Sequence, residues 1–424
     1  MVSLSDSMFR LLFVLCREPW LTAQQLAIWT NRSLSRVYAD LNYLLRYSFL
    51  QRVNPRCADL DVHFLYAVTD RSVKILAQRR SMEERAFRQT LHATRARHLE
   101  ILWRIESVWA VRECLLGLRK GEYAVQNIGT LEREALSFHM QEKVFQFHGR
   151  ARLVDANGKA LRVVVEWDNA RVRVERKRLF ALAEWAWHYH DWEPKPNMPM
   201  VLAVLANDAR LNEVWDVVCS HMEFAGPLHS TLLLTTIERL YARGAFAPIW
   251  LSVARNEWQR LTAHQYWLPK EESSFFMLRE TASGRIGKFT FAAKNVETLP
   301  PSQRLLHLNL TLSAQAKRVL RRIATRPLLS VQQLAWLMWE NSDRVSKALQ
   351  ELLRAELVKG VAFQRTRRYT LTSFGTEYEA AEAGFGRGVK RYLKASGGRS
   401  GVKRLVFHLE HTIASNDFFW HGCG

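Results

Sequence analysis

The stretch LTAQQLAIWTNRSLSRVYADLNYLL, from Leu21 to Leu45, returns as LSVQQLAWLMWENSDRVSKALQELL from Leu329 to Leu353. A constant offset of 308 places Pro19 on Pro327, Leu21 on Leu329, Gln24 and Gln25 on Gln332 and Gln333, and Ala27 on Ala335. It also places Arg36 on Arg344, Leu41 on Leu349 and Leu45 on Leu353 without a gap. The apolar matches fall at helical spacing, so a packing pattern is repeated as well as a composition. Any fold for this chain must therefore build one small unit twice, with a different stretch between.

In the first copy, Phe9 to Cys16 has the pattern of a helix, and Thr22 is placed to cap a short helix that carries Leu26 and Ala27 inward. A turn at Thr30 to Arg32 leads to Ser33, the expected cap of a longer helix ending near Tyr47. That helix packs Val37, Leu41, Leu44 and Leu45 and turns Arg32, Ser35, Arg36, Tyr38 and Asn42 to solvent. The segment Phe49 to Thr69 reads as two strands around a polar loop carrying Arg52 and Arg56, with Asp70 capping the next helix. Helix, turn, reading helix and hairpin make a winged helix.

The second copy closes with a tighter hairpin between Glu356 and Gly375, carrying Arg365, Arg367 and Arg368. Its helix shows the mixed surface Asp343, Arg344, Lys347, Glu351 and Arg354. Basic hairpin tips commonly lie along phosphates while the helix enters the major groove. A winged helix also serves in many proteins as a protein-binding module, and the first copy, with its less mixed surface, is the better candidate for base contact.

Bulk properties agree with a polyanionic partner. The 424 residues carry a formal charge of +20, and 48% hydrophobic residues with 15 Trp indicate folded domains. An anionic membrane surface would satisfy the charge as well, although no run approaches the roughly 18 apolar residues of a membrane span. The cysteines, Cys16, Cys57, Cys114, Cys219 and Cys423, form no C-x-x-C pair and are odd in number, which suits a reducing compartment. The opening residues read as a first helix and not a signal peptide, so the expected location is the cytoplasm.

Between the copies, helical patterning from Met82 to Leu118 gives way to strands. Arg150 to Val154, a turn at Asn157-Gly158 and Leu161 to Glu166 make a hairpin; a helix is expected from about Val174 to Tyr189. A strand at Met198 to Asp208, a helix around Leu211 to Ser220 and a strand in GAFAPIWLSV complete an α/β alternation. The domain plan is a winged helix at 1–80, a helical link at 81–118, an α/β domain at 119–300, a second winged helix at 305–384, and a basic Gly-rich linker with a terminal helix at 385–424.

The first winged helix, VVVEWDNARV at Val163 to Val172, the following RKRLFALAEWAWHY and the later FAPIWLSV together resemble the replication-relaxation family of plasmid and integrative-element proteins. The resemblance covers roughly residues 1 to 255. It implies a winged helix joined to a restriction-nuclease-like α/β domain, and a role on double-stranded DNA in replication initiation, relaxation or transfer, alongside other replication, transfer or recombination proteins. The closing HTIASNDFFW resembles the start of the helix that joins the two domains in that family, as if a second unit were cut short; an amphipathic docking helix is the other reading.

A metal-dependent nuclease of that shape needs an acid on one strand, E-x-K on the next and often a helix Glu, so that carboxylates hold Mg²⁺ and Lys orients water. Glu132 or Glu134 is the candidate helix acid and Glu166 the strand acid, but Asp168 fills the lysine position. The first-strand place is held by His148 to Ala151, Asp155 lies near the turn, and only Lys177 on the next helix offers a migrated lysine. The expectation is a non-catalytic scaffold that needs no cofactor, with Mg²⁺ required only if the domain cuts DNA. Ion pairs from Glu166 and Asp168 to Arg171, Arg173 or Lys177 are the structural alternative.

Other signals are weaker. His188 and His190 do not make H-E-x-x-H, no phosphate-binding G-x-x-x-x-G-K-[ST] loop occurs, and a clustered histidine triad with a nucleophilic Tyr is missing. Lys390 and Arg391 lie in a Gly-rich basic stretch, Gly384 to Arg404, that reads as a phosphate-contacting linker or a solvated tether. The reading that follows is a DNA-binding protein, monomer or homodimer, with two reading heads. A transcriptional regulator, a Mg-dependent endonuclease and a protein-binding scaffold are the alternatives.

Overall fold

In the computed structural model, Ser5 opens the first helix by accepting a hydrogen bond from the Met8 N–H. The structure describes residues 4–57, 64–91, 93–119, 124–138, 141–155, 157, 159–168, 200–225, 232–253, 255–261, 268–269, 285–286, 301–363, 366–383, 389–395 and 412–416. The chain divides into two units, one of Met1–Val53, Phe64–Ala170 and Val174–Lys288, the other of Asn54–His63, Arg171–Arg173 and Phe289–Gly424.

The first unit begins with α1 (Asp6–Arg17), β1 (Leu21–Thr22), α2 (Ala23–Thr30), α3 (Leu34–Arg46), β2 (Leu50–Val53), β3 (Leu65–Val68) and α4 (Asp70–Arg79). The strands form an antiparallel sheet in the order β1-β3-β2. A capping box at Thr22 and Gln25 starts α2, where each side chain takes up a backbone N–H that the helix leaves unpaired. Leu11, Leu12, Leu15, Leu26, Val37, Leu41 and Leu44 fill the space between the helices. Two cap assignments change: Ser33 precedes α3 without a side-chain capping bond, and Thr69, not Asp70, is the cap residue of α4. Asp70 instead accepts from Arg88 at 2.7 Å and from the Ile286 N–H at 2.9 Å.

Helices α5 (Glu84–Leu91), α6 (Arg95–Trp103) and α7 (Ile105–Arg119) lead to a mixed sheet. Its strands are β4 (Ala124–Phe138), β5 (Gln141–Val154), β6 (Lys159–Asp168), β7 (Met200–Leu205), β8 (Leu232–Thr236), β9 (Trp250–Ser252) and β10 (Glu257–Gln259), side by side in that order, with β11 (Leu268–Pro269) on the start of β6. The pairs β4-β5, β5-β6, β8-β9 and β9-β10 are antiparallel, while β6-β7 and β7-β8 are parallel. Strand alternation sends Ala151, Leu153, Leu161, Val163 and Val165 to one face, where Val111, Cys114, Leu115 and Leu118 of α7 cover them. Trp29 of α2 packs against the same core. Helices α8 (Asp208–Ala225) and α9 (Ile237–Arg243) complete the described part. The helix expected over Val174 to Tyr189 lies outside the described residues.

The second unit contains α10 (Pro301–Thr311), α11 (Ala314–Thr325), α12 (Val331–Leu337), α13 (Ser342–Arg354), β12 (Val358–Phe363), β13 (Thr366–Leu371), α14 (Ser373–Glu382), α15 (Val389–Ala395) and a helical turn at 412–416. Adding 308 to the bounds of α1 and α3 gives those of α11 and α13; adding 303 to those of α4 gives α14. The first hairpin is therefore five residues longer. Ser313 and the Ser330–Gln333 box repeat the caps at Ser5 and Thr22–Gln25. Even left-handed backbone recurs: Trp20 and Leu328 have φ of 66° and 67°, Asn31 and Trp339 52° and 53°, and Ser48 and Glu356 58° each. Such angles cost about 1–2 kcal/mol for a non-glycine residue, so surrounding structure must impose them. In both copies it does: Trp20 N–H donates to the Tyr66 carbonyl and Leu328 N–H to that of Tyr369.

The architecture is mixed α/β with winged-helix-like elements. Among the described residues no helix is long and apolar enough to cross a membrane.

Candidate nucleic-acid interface

Helix α3 buries Val37, Leu41 and Leu44, so the 3.6-residue period turns Ser35, Arg36, Tyr38, Ala39 and Asn42 outward, and all five are exposed. Arg32 is less available, because its guanidinium meets Asp40 at 2.8 Å. In the adjoining hairpin, exposed Arg52 stacks its guanidinium 4.5 Å from the Phe64 ring centre, which holds the charge at the surface. Arg56, in a segment grouped with the second unit, donates to the Thr311 carbonyl at 3.2 Å.

Helix α13 repeats the inward set with Val345, Leu349 and Leu352. Asn341 caps it by accepting from the Asp343 N–H at 2.7 Å, and Arg344, Lys347 and Gln350 are exposed. Arg344 has Glu340 at 3.5 Å. Glu351 leaves the candidate surface: its carboxylate accepts from the Ser313 N–H at 2.7 Å and hydroxyl at 2.6 Å.

One hairpin assignment is corrected. Arg367 is exposed, but Arg368 is buried and donates to the Leu328 carbonyl at 3.3 Å and to Gln333 Oε1 at 3.1 Å. Neighbours in a strand point to opposite faces, so only one of the pair can meet a phosphate. Arg365 lies outside the described residues; Lys390 is exposed on α15, and Arg391 follows it on the same helix.

The nuclease candidates separate. Glu132 and Glu134 lie on β4, a strand opposite Phe147 and Phe145 of β5, and not on a helix. Asp155 follows Val154, which pairs with Ala160; Glu166 is six residues further along β6, about 20 Å away at strand rise. Glu166 is partnered by His148, with Nδ1 and Oε2 2.5 Å apart. Asp168 accepts from Arg210 of α8 at 2.9 Å and 3.1 Å, and Glu213 binds the other side of that guanidinium at 2.7 Å. Burial opposes the charge on Arg210, yet the two carboxylates outweigh it and hold the group above its ordinary value. Lys177, Arg171 and Arg173 lie outside the described residues.

Sequence reasoning missed Arg210 as a partner, and missed that Arg150, Arg152 and Arg162 share the face of the β5-β6 pair that carries His148 and Glu166. All three arginines are buried there. Alternation of Arg with Leu and Val in RARLV and ALRVVV was the available signal. These residues do not fit a magnesium site: of the two strand-end carboxylates, one is engaged by an imidazole and the other by a guanidinium. Among the described residues no cluster of three or more His, Cys, Asp or Glu is placed to hold a metal ion.

No family model and no curated protein matches the chain. One solved structure that it resembles is described as the crystal structure of a MarR family transcription regulator, 22% identical over 27% of this chain and 75% of that one, with a TM-score of 0.17.

Proposed function

We propose that the chain is a sequence-specific, double-stranded DNA-binding protein with two winged-helix heads, α1 to α4 and α11 to α14, and an α/β domain that serves as scaffold. The observation that carries this reading is the exposure of Arg36 and Arg344 at the same place on two helices whose inward faces coincide, each preceded by a helix with the same capping box and by a left-handed turn. An arginine there can bind guanine O6 and N7 in the major groove with two hydrogen bonds. The net charge of +20 supports phosphate attraction on either side of such a contact. The pairing of Glu166 and Asp168 with His148 and Arg210 favours a domain that grips or spaces over one that cuts. Service in replication initiation, relaxation or transfer of a mobile element is supported by the sequence resemblance around VVVEWDNARV; regulation of transcription uses the same heads.

The test is selection of bound duplexes from a random library at about 0.15 M salt, near physiological ionic strength. The expected outcome is an enriched motif that weakens when Arg36 and Arg344 are changed to Ala. Retention of DNA without any motif, abolished by modest added salt, would show charge-driven affinity only and refute the reading.

A further inference from the structure

The two heads are alike inside and unlike outside. Val37 and Val345, Leu41 and Leu349, and Leu44 and Leu352 occupy the same buried places in α3 and α13. The outward places differ at four of five positions: Ser35 against Asp343, Tyr38 against Ser346, Ala39 against Lys347 and Asn42 against Gln350, with arginine kept only at Arg36 and Arg344. All of these are exposed except Ser346, which is half-buried. Even the turn leading into the helix differs, with Asn31 in one head and Trp339, 92% exposed, in the other.

We infer that the two heads read different base sequences, so that each chain recognises an asymmetric duplex site made of two unlike half-sites. The inference rests on the proposed reading of the chain as a DNA binder. Its chemistry follows from what each side chain offers a base edge. The shared arginine calls for a guanine in both halves. Beside it, Asp343 accepts from cytosine N4 and is repelled by phosphate, whereas Ser35 donates or accepts and discriminates little. Ala39 offers a methyl to thymine, while Lys347 offers a cation to guanine or phosphate. Asn42 and Gln350 both suit adenine, but differ in reach by one methylene. Two copies of one face would select two copies of one half-site; these two faces cannot.

The experiment is the same library selection on the full chain, with wild type and two exchange variants. In one, α3 carries Ser35→Asp, Tyr38→Ser, Ala39→Lys and Asn42→Gln. In the other, α13 carries Asp343→Ser, Ser346→Tyr, Lys347→Ala and Gln350→Asn. Nearly all the exchanged positions are at the surface, and either variant suffices if the other fails to fold. The wild type is expected to enrich two unlike halves, each losing about 5- to 100-fold in affinity per mismatched base pair. Either exchange is expected to convert the enriched site into two like halves. A wild-type site with identical halves, or with one half only, overturns the inference and leaves the chain a sequence-specific DNA binder. Unlike halves that survive both exchanges also overturn it. No enriched motif at all removes the proposed function and the inference together.

Discussion

The Glu18 carboxylate and the Arg112 guanidinium, both buried out of reach of solvent, meet at 3.0 Å between Oε2 and Nη2. The pair joins the end of α1 to the middle of α7, and it is not alone. Arg97 approaches the other oxygen of Glu18 at 3.2 Å, the Thr130 hydroxyl donates to Oε2 at 2.6 Å, and Arg112 also donates to the carbonyls of Pro19 and Trp20. Burial pulls the Arg112 guanidinium down and Glu18 opposes that pull, so removing the acid leaves a buried cation without its counter-charge. Glu18→Leu or Arg112→Leu alone is expected to cost about 3–5 kcal/mol in stability, and the double change less than the sum of the two. Urea unfolding of the three variants checks this; additive losses would mean that the pair is not coupled.

That network shows where sequence reading ended. The inward faces of α3 and α13 were legible because their periodicity is local, and the Thr22 cap because it stands immediately before the helix that it starts. Glu18 carried no local signal: its partners Arg112 and Thr130 lie 94 and 112 residues away. Arg368 failed for a different reason, since a shift of one residue in a strand exchanges the faces, and RTRRY offers charge on both. Glu132 and Glu134 were misread because a charged strand lacks the apolar alternation that marks strands. At the candidate nuclease site, the missing lysine at Asp168 was visible, but its partner Arg210 waited for β6 and α8 to be brought together.

His98 gives a pH dependence. It is fully buried on α6, edge-on to Trp20 with ring centres 5.6 Å apart, and burial first, then Arg97, pushes it from 6.5 down to about 3. The unfolded chain therefore binds a proton before the folded chain does. The contribution of the neutral ring is whole above about pH 6.5 and is lost as pH falls toward 3, by at most about 1.4 kcal/mol per pH unit. His98→Phe keeps an aromatic ring and removes the titration, so its stability is expected to change less between pH 7 and pH 5 than that of the wild type. Parallel urea curves at the two pH values decide it, and equal losses in both proteins would refute the assignment.

Gly375 allows a close approach at the start of α14. A Cβ there would stand 1.9 Å from the Leu357 carbonyl oxygen. In the first head the same place holds Ser72, whose hydroxyl donates to the carbonyl of Phe49, a bond added to those from Thr69 that the second head repeats from Thr372 to Leu357. Gly375→Ala must push a backbone carbonyl aside and is expected to destabilise the second head by about 1–3 kcal/mol, despite the better helix propensity of Ala. Hydrogen exchange in α13 and α14 is the readout; unchanged protection would show that the helix start shifts at no cost.

Trp339 holds left-handed backbone with its side chain in solvent, whereas Asn31, at the equivalent place, is a residue type that tolerates this conformation. Glycine relieves the strain without removing any internal packing, so Trp339→Gly is expected to raise the melting point of the second head, by up to about 1 kcal/mol in stability. A lower melting point would reveal that the indole packs on its own head in solution.

Arg367 and Arg368 stand next to each other on β13 and should fail in opposite ways. Arg367 is exposed, so Arg367→Ala is expected to weaken binding to all duplexes alike, to lower the slope of log affinity against log salt by about 0.9, and to leave folding unchanged. Arg368 is buried against the Leu328 carbonyl and Gln333 Oε1, at the capping box that begins α12. Arg368→Ala takes a buried donor from both acceptors, Gln333 Oε1 keeping the Ser330 N–H, and is expected to cost about 1–3 kcal/mol of stability without changing the salt slope of the protein that remains folded. Titrations at three salt concentrations, paired with urea curves, separate the two. If Arg368→Ala changes the salt slope and Arg367→Ala does not, the assignment of these two side chains to surface and core is reversed, and the second hairpin meets DNA by its other face.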